Sequence, residues 1–526
     1  MMTLTQEIRN ADRLAQKVGW RGWAALVVLM LPVLLVSVDN TVLSFALPDI
    51  ALSLQPTSTQ QLWIIDAYPL VLAGLLVTMG TLGDRFGRRR MLLIGATGFA
   101  AVSVLAAFAP TAGWLIVARA AMGVFGAMLM PATLSLLRSI FTDRDQRRLA
   151  IAVWAAAFSA GSALGPIVGG LLLEYFSWGS VFLLSVPVLV PLLILAPLLV
   201  PESRDPNPGR IDPVSIALSM LTLVPVVYAI KEMAVEGFAA GPLVLLAAGL
   251  GFGVVFVRRQ LAAQVPMLDM RLFRRGMFSG ALLVNLLSVV ALVGFLYFVS
   301  QHLQLVVGLS PMQAGFALVP GMLAMIVAGL GVVPVSRRVS PRIVVPAALA
   351  LSVTAYLLVP AAATDLTLLV AAFALLGVGI GAAETVSNEL ILASAPPAKA
   401  GAASAVSETA YEVGAVLGTS LLGGILTAAY RGGIELPAGL AHDAAEAARE
   451  TLAGAMTVAD TLDAATAAVL RDAAAHAFDA GVTITALIGA GLVAIAAVIA
   501  ATTLGRTPTP SEEHYVARRQ AGRHPG

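Results

Sequence analysis

The 526-residue chain has no cysteine. That excludes disulfides, thiolate nucleophiles and cysteine-ligated metals together. Charge is scarce as well: Asp, Glu, Lys and Arg make up 12% of the residues, and aromatic residues 6%. Of the five histidines, His302 sits at the edge of an apolar stretch and the other four fall in polar segments. No Walker-type phosphate loop is present, so ATP-driven work is disfavoured. An enzyme is disfavoured too, and neither a cofactor nor a metal is expected. What the chain has is apolar sequence, 59% of it, at a mean hydropathy of +0.90. Stretches long enough to cross about 30 Å of hydrocarbon recur from end to end. The fold class expected is therefore all-α and integral to a membrane, with the lipid bilayer as its first partner.

The net charge of +2 hides an asymmetry. Of 32 Lys and Arg, 27 fall in segments that alternate onto one side of the membrane. By the positive-inside rule that side is cytoplasmic. The other five are Arg119 within a span, Lys231 at a span end, and Arg431, Arg449 and Arg471 in one long loop. Both termini then lie in the cytoplasm, which requires an even number of crossings, and fourteen apolar stretches fit between residues 23 and 503. Residues 1–22 read as a cytoplasmic tail rather than a cleaved signal peptide, because they are polar and lead into a full-length span. Residues 504–526 form the second tail. A soluble nucleic-acid binder is excluded despite a pI near 9.0, since the arginines border the membrane. The outer segment 430–480 is rich in Ala and carries eight acids against three Arg. It reads as a helical hairpin, in the simpler case a solvated connector and in the sharper one a lid over the exit.

Between the second and third spans runs Gly80, Thr81, Leu82, Gly83, Asp84, Arg85, Phe86, Gly87, Arg88, Arg89, Arg90. Glycine permits the tight bend and arginine anchors the interface, but a carboxylate at a membrane boundary needs a partner. In the fifth span Gly161, Gly165 and Gly169 are spaced by four, so one face is open to a neighbouring helix, and Pro166 adds a kink. Six acids lie inside spans, Asp39, Asp66, Glu384, Glu389, Glu408 and Glu412, against one base, Arg119. Carboxylates held in a low-dielectric medium exchange protons nearer neutral pH, and when ionised they attract cations. Proton-for-organic-cation exchange follows naturally from that excess.

These motifs resemble those of the 14-helix drug:proton antiporters of the major facilitator superfamily, the QacA-like group. The turn matches with Gly80, Leu82, Asp84, Arg85, Gly87, Arg88 and Arg89; the first span matches with Leu35, Asp39, Thr41, Ala46, Leu47 and Pro48. Arg119, Gly123 and Gly126 fit the fourth-span motif, and Gly161, Gly165, Pro166, Gly169 and Gly170 the antiporter motif of the fifth. The resemblance implies two six-helix bundles with two extra central helices, and these divisions: 23–200 for the N-terminal bundle, 201–276 for the linker with its two extra spans, and 277–503 for the C-terminal bundle including loop 430–480. It further implies that Asp84 holds a cytoplasmic gate against a helix start in the other half, with the span beginning near 401 as candidate, and that Gly80, Arg85, Gly87, Arg88 and the fifth-span motif take part in gating. Asp39 is the first candidate for proton coupling, with Arg119 as either a coupling residue or a structural counter-ion.

Glu408 and Glu412 share a helical face with Tyr411, a carboxylate pair beside an aromatic ring that suits an organic cation or a proton. Asp66, near Trp63 and Tyr68, reads as a vestibule recognition residue or as a side chain that reaches water. For Glu384 and Glu389 a hydrated or Asn388-paired side chain is the preferred reading. Phe295, Tyr297 and Phe298 are weak candidates for a drug pocket. The function expected is export of lipophilic cations such as dyes, quaternary ammonium compounds and fluoroquinolones in exchange for protons, by a monomer in the inner (plasma) membrane. The alternative is a dedicated exporter of an endogenous lipid or metabolite, for which a pocket wide enough for an acyl chain would speak.

Overall fold

The computed structural model describes residues 18–204, 212–237, 239–263, 266, 270–336, 338–362, 365–394 and 400–505. Most of both expected tails, residues 1–17 and 506–526, lies outside the described residues. The long helices run in the order α1 (Trp20–Leu54), α2 (Ser58–Phe86), α3 (Arg88–Ala107), α4 (Ala112–Ile140), α5 (Arg144–Tyr175), α6 (Ser180–Leu199), α7 (Pro213–Glu236) and α8 (Ala240–Ala262). They continue with α9 (Gly276–Val306), α10 (Pro311–Ser336), α11 (Pro341–Ala362), α12 (Leu366–Ser394) and α13 (Ala403–Gly433). Two short helices, α14 (His442–Glu450) and α15 (Leu452–Ala459), precede the last, α16 (Ala464–Thr503). Thirteen of the long helices are apolar enough to cross a membrane unbroken, and α5 supplies the fourteenth as a span bent by 41° between Leu149–Ser162 and Leu164–Tyr175.

Helices are what hydrocarbon demands, because each backbone N–H and C=O must find its partner within the segment. Several of their starts are marked by polar side chains that take up unpaired N–H groups of the first turn. Thr57 and Gln60 cap α2 reciprocally. Thr111 accepts from the Trp114 amide, Asp143 from Gln146 and Asp463 from Thr466. Between α2 and α3 the chain turns on Gly87, whose φ of 115° side chains rarely tolerate.

Helices α1–α6 form one six-helix bundle, and α9–α13 with α16 the other. The two extra helices α7 and α8 pack on each other, and α7 also reaches α2 and α13. At their arginine-rich end Asp212, which caps α7, receives both Nε and Nη2 of Arg259 at 3.1 and 3.0 Å. That bonded guanidinium holds the Asp212 carboxyl well below the usual carboxylate range.

The 430–480 segment differs from a solvated connector. Its helix α14 packs on α15 and α15 packs on α16, which begins well before the expected span at 481, and Ala448, Leu452, Ala455, Leu470 and Phe478 are all buried. Apolar alanine faces that a loop would leave wet are covered here by one another.

Candidate functional site

A cavity of about 320 Å³ lies between the two bundles. Leu76 and Met130 line it from near the ends of α2 and α4, Trp154 and Phe158 from near the start of α5, Glu384 and Asn388 from near the end of α12, and Glu408, Tyr411 and Glu412 from near the start of α13. All of these helix ends belong to the arginine-rich side, so the cavity occupies that half of the molecule.

Three carboxylates share its wall, with no Lys or Arg among the described residues that line it. Glu408 and Glu412 project one turn apart with Tyr411 between them. Glu412, 5% exposed, accepts from Asn40 Nδ2 at 3.4 Å, a contact between α1 in one bundle and α13 in the other. Rings line the opposite wall: Trp154 stacks on Phe158, and Phe158 meets Tyr411 edge-on with centroids 5.7 Å apart. Such a set of π-faces beside carboxylates offers a flat or lipophilic cation both dispersion and charge.

Glu384 is the residue that the sequence undervalued. Asn388, its expected partner, is engaged by Ser407, whose hydroxyl donates to Asn388 Oδ1 at 3.0 Å. Glu384 instead faces the cavity, and its Oε1 has no hydrogen-bond partner among the described residues. The signal that could have found it is the spacing Glu384, Asn388 at i, i+4, which puts both on the face of α12 that α13 flanks.

Asp39 and Arg119 form a second, separate site. Arg119 Nη1 donates to Asp39 Oδ2 at 2.7 Å with both side chains nearly inaccessible. Arg119 Nε donates to the Ile64 carbonyl, and the guanidinium lies 4.7 Å from the Tyr68 ring centroid. Asp39 borders a small crevice with Phe99, Phe182 and Ser185 rather than the main cavity. The two sites are nonetheless adjacent along α1, since Asn40, the next residue, touches Glu412.

Asp66 is neither in a vestibule nor in water: it is fully buried, 2.9 Å from the Lys231 Nζ. Lys231 lies inside α7 rather than at its exposed end, because the helix runs on to Glu236. Phe295, Tyr297 and Phe298 are also placed away from the cavity, in the core of the second bundle, where Phe295 packs on Phe298, Tyr356 and Phe373.

The turn after α2 is engaged within its own bundle. Asp84 pairs with Arg88, one turn on, at 2.8 Å, and Arg88 reaches Ser203 beyond α6. The Arg89 amide donates to Glu202. Asp84 thus has a partner on its own side of the turn, and residues 395–399, which lead into the span expected to meet it, lie outside the described residues. The cavity separates the bundles on that side. The opposite side is shut: Ser58, at the start of α2, donates both its amide and its hydroxyl to Glu450 Oε1 at 2.8 Å, and Arg431 clamps Glu450 Oε2 at 2.7 Å. There too α5 meets α10, where a Cβ on Gly170 would sit 2.7 Å from the Pro311 carbonyl oxygen.

A cavity at the junction of two six-helix bundles with acids in its wall is a transporter's arrangement, and residues 29–419 match the Major Facilitator Superfamily model. The chain belongs to the Major Facilitator Superfamily. It is a multi-pass membrane transporter and not an enzyme. Within the superfamily it is 56% identical to the multidrug efflux pump LfrA of Mycolicibacterium smegmatis, over 91% of this chain and 95% of that protein. It is 37% identical to the methyl viologen resistance protein SmvA of Salmonella typhimurium, over 87% and 93%. Among solved structures, a bacterial homologue of the human lysosomal transporter Spinster shares the fold with a TM-score of 0.63 at 17% identity, over 94% of this chain and all of that one.

Proposed function

We propose that this protein is a proton-coupled multidrug efflux antiporter of the inner (plasma) membrane, exporting lipophilic and cationic compounds by alternating access. The observation that carries the reading is the cavity wall itself, three carboxylates and three aromatic rings with no base among the described residues that line it. An anionic lipid would meet three carboxylates there and no base on the described wall, which disfavours the dedicated lipid exporter. The drug-resistance relatives point the same way, their names covering a multidrug pump and methyl viologen resistance.

In this reading the arginine-rich face and both termini are cytoplasmic, and the cavity faces inward. A cation enters from the cytoplasm or the inner leaflet and is held by Glu408, Glu412 and Glu384 against Tyr411. The bundles, 23–200 and 277–503, then rock about the cavity, with the glycine face of α5 and the Gly80–Arg88 turn as moving contacts. Protons arriving from outside neutralise the cavity acids and displace the drug; release of those protons inside restores the cation site. Asp39, paired with Arg119, changes partner with proton load and passes that change to Glu412 through the neighbouring Asn40. A monomer suffices, since every group named lies on one chain.

The test is ethidium efflux from proteoliposomes under an imposed pH gradient, with Asp39→Asn beside the unmodified protein. Gradient-driven efflux that the substitution abolishes is expected. If the gradient moves no lipophilic cation at all, the reading fails.

A further inference from the structure

The two extra helices, α7 and α8, have no part in the mechanism above, yet α7 carries the one lysine that is fully buried among the described residues. Lys231 Nζ lies 2.9 Å from Asp66 Oδ2 on α2 and 3.8 Å from the Trp63 ring centroid. The same Asp66 oxygen accepts from the Ser420 hydroxyl of α13 at 2.8 Å. Ser420 belongs to a π-helical turn, Gly418–Gly423, that interrupts α13 at this point. One carboxylate oxygen thus joins the first bundle, the second bundle and the linker. An independent feature repeats the geometry: Leu70, Val227 and Val416, one residue from each of the same three helices, form a small apolar cluster apart from the main core, flanked by Trp63 and Leu223.

A lysine inside a membrane protein is costly unless paired, and the remainder of α7 and α8 is mostly exposed, as lipid-facing helices are. The ammonium therefore enters the seam between α2 and α13 rather than snorkelling to an interface. That seam lies in the half of the molecule opposite the cavity, where the bundles are closed.

We propose that Lys231 is a positioning residue for alternating access: α7 supplies a resident cation that occupies Asp66 and clasps it to Ser420, holding the α2–α13 seam shut on the side away from the cavity. Asp66 is then filled internally and not by the transported cation in this state. Opening that side must part Asp66 from Ser420, so the linker helices set how readily the bundles separate. This rests on the alternating-access reading above but not on the identity of the cargo.

The absence of cysteine supplies a clean background for the test. Gln61, 4% exposed and near the start of α2 on the closed side, is replaced by Cys, and its labelling by a membrane-impermeant maleimide from outside is timed without any substrate. Lys231→Gln should speed labelling severalfold, since the seam loses its clasp and keeps a lone carboxylate. Asp66→Asn with Lys231→Gln should label more slowly than Lys231→Gln alone, because Asn still reaches Ser420 and no charge is stranded. Lys231→Arg should label as the unmodified protein does. In efflux, Lys231→Gln should alter the maximal rate and leave the KM for ethidium unchanged, as the pair touches no wall of the cavity. Labelling of Lys231→Gln at the unmodified rate, or a double variant as fast as the single, overturns the proposal. If Lys231→Gln does not fold, the Arg and double variants decide: both must fold and label slowly. A protein that moves no ethidium but whose labelling follows Lys231 would defeat the drug reading and leave this one standing.

Discussion

The Thr41 hydroxyl of α1 lies 3.1 Å from the Ser162 carbonyl oxygen of α5. Ser162 precedes Pro166 by four residues, and proline has no N–H to give, so this carbonyl has lost its helical partner at the point where α5 bends by 41°. A side chain from the neighbouring helix thus completes the broken ladder, and two motifs that looked separate in the sequence are one device. It requires close approach, and Gly165 provides it, for a Cβ there would overlap Thr41 Oγ1. Thr41→Val keeps the shape and removes the donor, leaving a buried carbonyl unpaired. The expected cost is about 1–3 kcal/mol, with Thr41→Ser close to the parent. Thermal unfolding of the detergent-solubilised variants measures it; equal melting of Thr41→Val and parent would mean that the contact is incidental.

Asp39 and Arg119 make a buried pair, and removing one partner strands the other's charge. Asp39→Asn or Arg119→Gln alone should lower stability by about 3–5 kcal/mol in the limit of full burial, and the double variant by less. Gradient-driven efflux should be lost in all three, since neither neutral pair can report proton load. Melting curves and ethidium efflux on the same preparations separate the two effects. A double variant that regains stability and also regains coupling would remove Asp39 from the proton path.

Glu384 should weaken cation binding when neutralised. Glu384→Gln is expected to raise the KM for a cationic dye about tenfold (~1.4 kcal/mol), while a neutral lipophilic substrate is unaffected. The same substitution at Glu389, which is exposed and outside the cavity lining, serves as the control. Equal shifts from both positions would assign the effect to general surface charge.

What the sequence disclosed and what it hid divide along a physical line. Span number was legible because apolar length and arginine placement are local properties, and fourteen crossings result once the bent α5 is counted as one. The face shared by Glu408, Tyr411 and Glu412 was legible for the same reason, being helical periodicity alone. Partners across helices were not. Asp66 looked like a residue near water because Lys231 is 165 positions away and belongs to a linker that periodicity cannot dock. Glu384 looked hydrated because Ser407, which takes Asn388 from it, lies on another helix. Asp84 was assigned a partner in the other bundle, and the local pair that it makes with Arg88, four residues on, was passed over. The long acidic segment read as a solvated connector or a lid because periodicity shows that a helix has an apolar face but not which neighbour covers it.

That segment yields the last expectation. Glu450 ends α14 and accepts from both Ser58 groups at the start of α2, while Arg431 at the end of α13 holds its other oxygen. A carboxylate at a helix N-terminus is favoured by the unpaired N–H groups there, and here it also spans the two bundles. To open that side Ser58 must leave Glu450. Glu450→Gln should therefore weaken the closure and favour the open state, raising maleimide labelling of a cysteine placed at Gln61. The bond is partly exposed, so the effect of Glu450→Gln should be modest, about 1 kcal/mol or a fewfold in labelling rate, and should shrink at high salt. Labelling of Glu450→Gln at the parent's rate would make the segment a passive cover over the ends of α13 and α16, and would leave Lys231 and Asp66 as the clasp on that side.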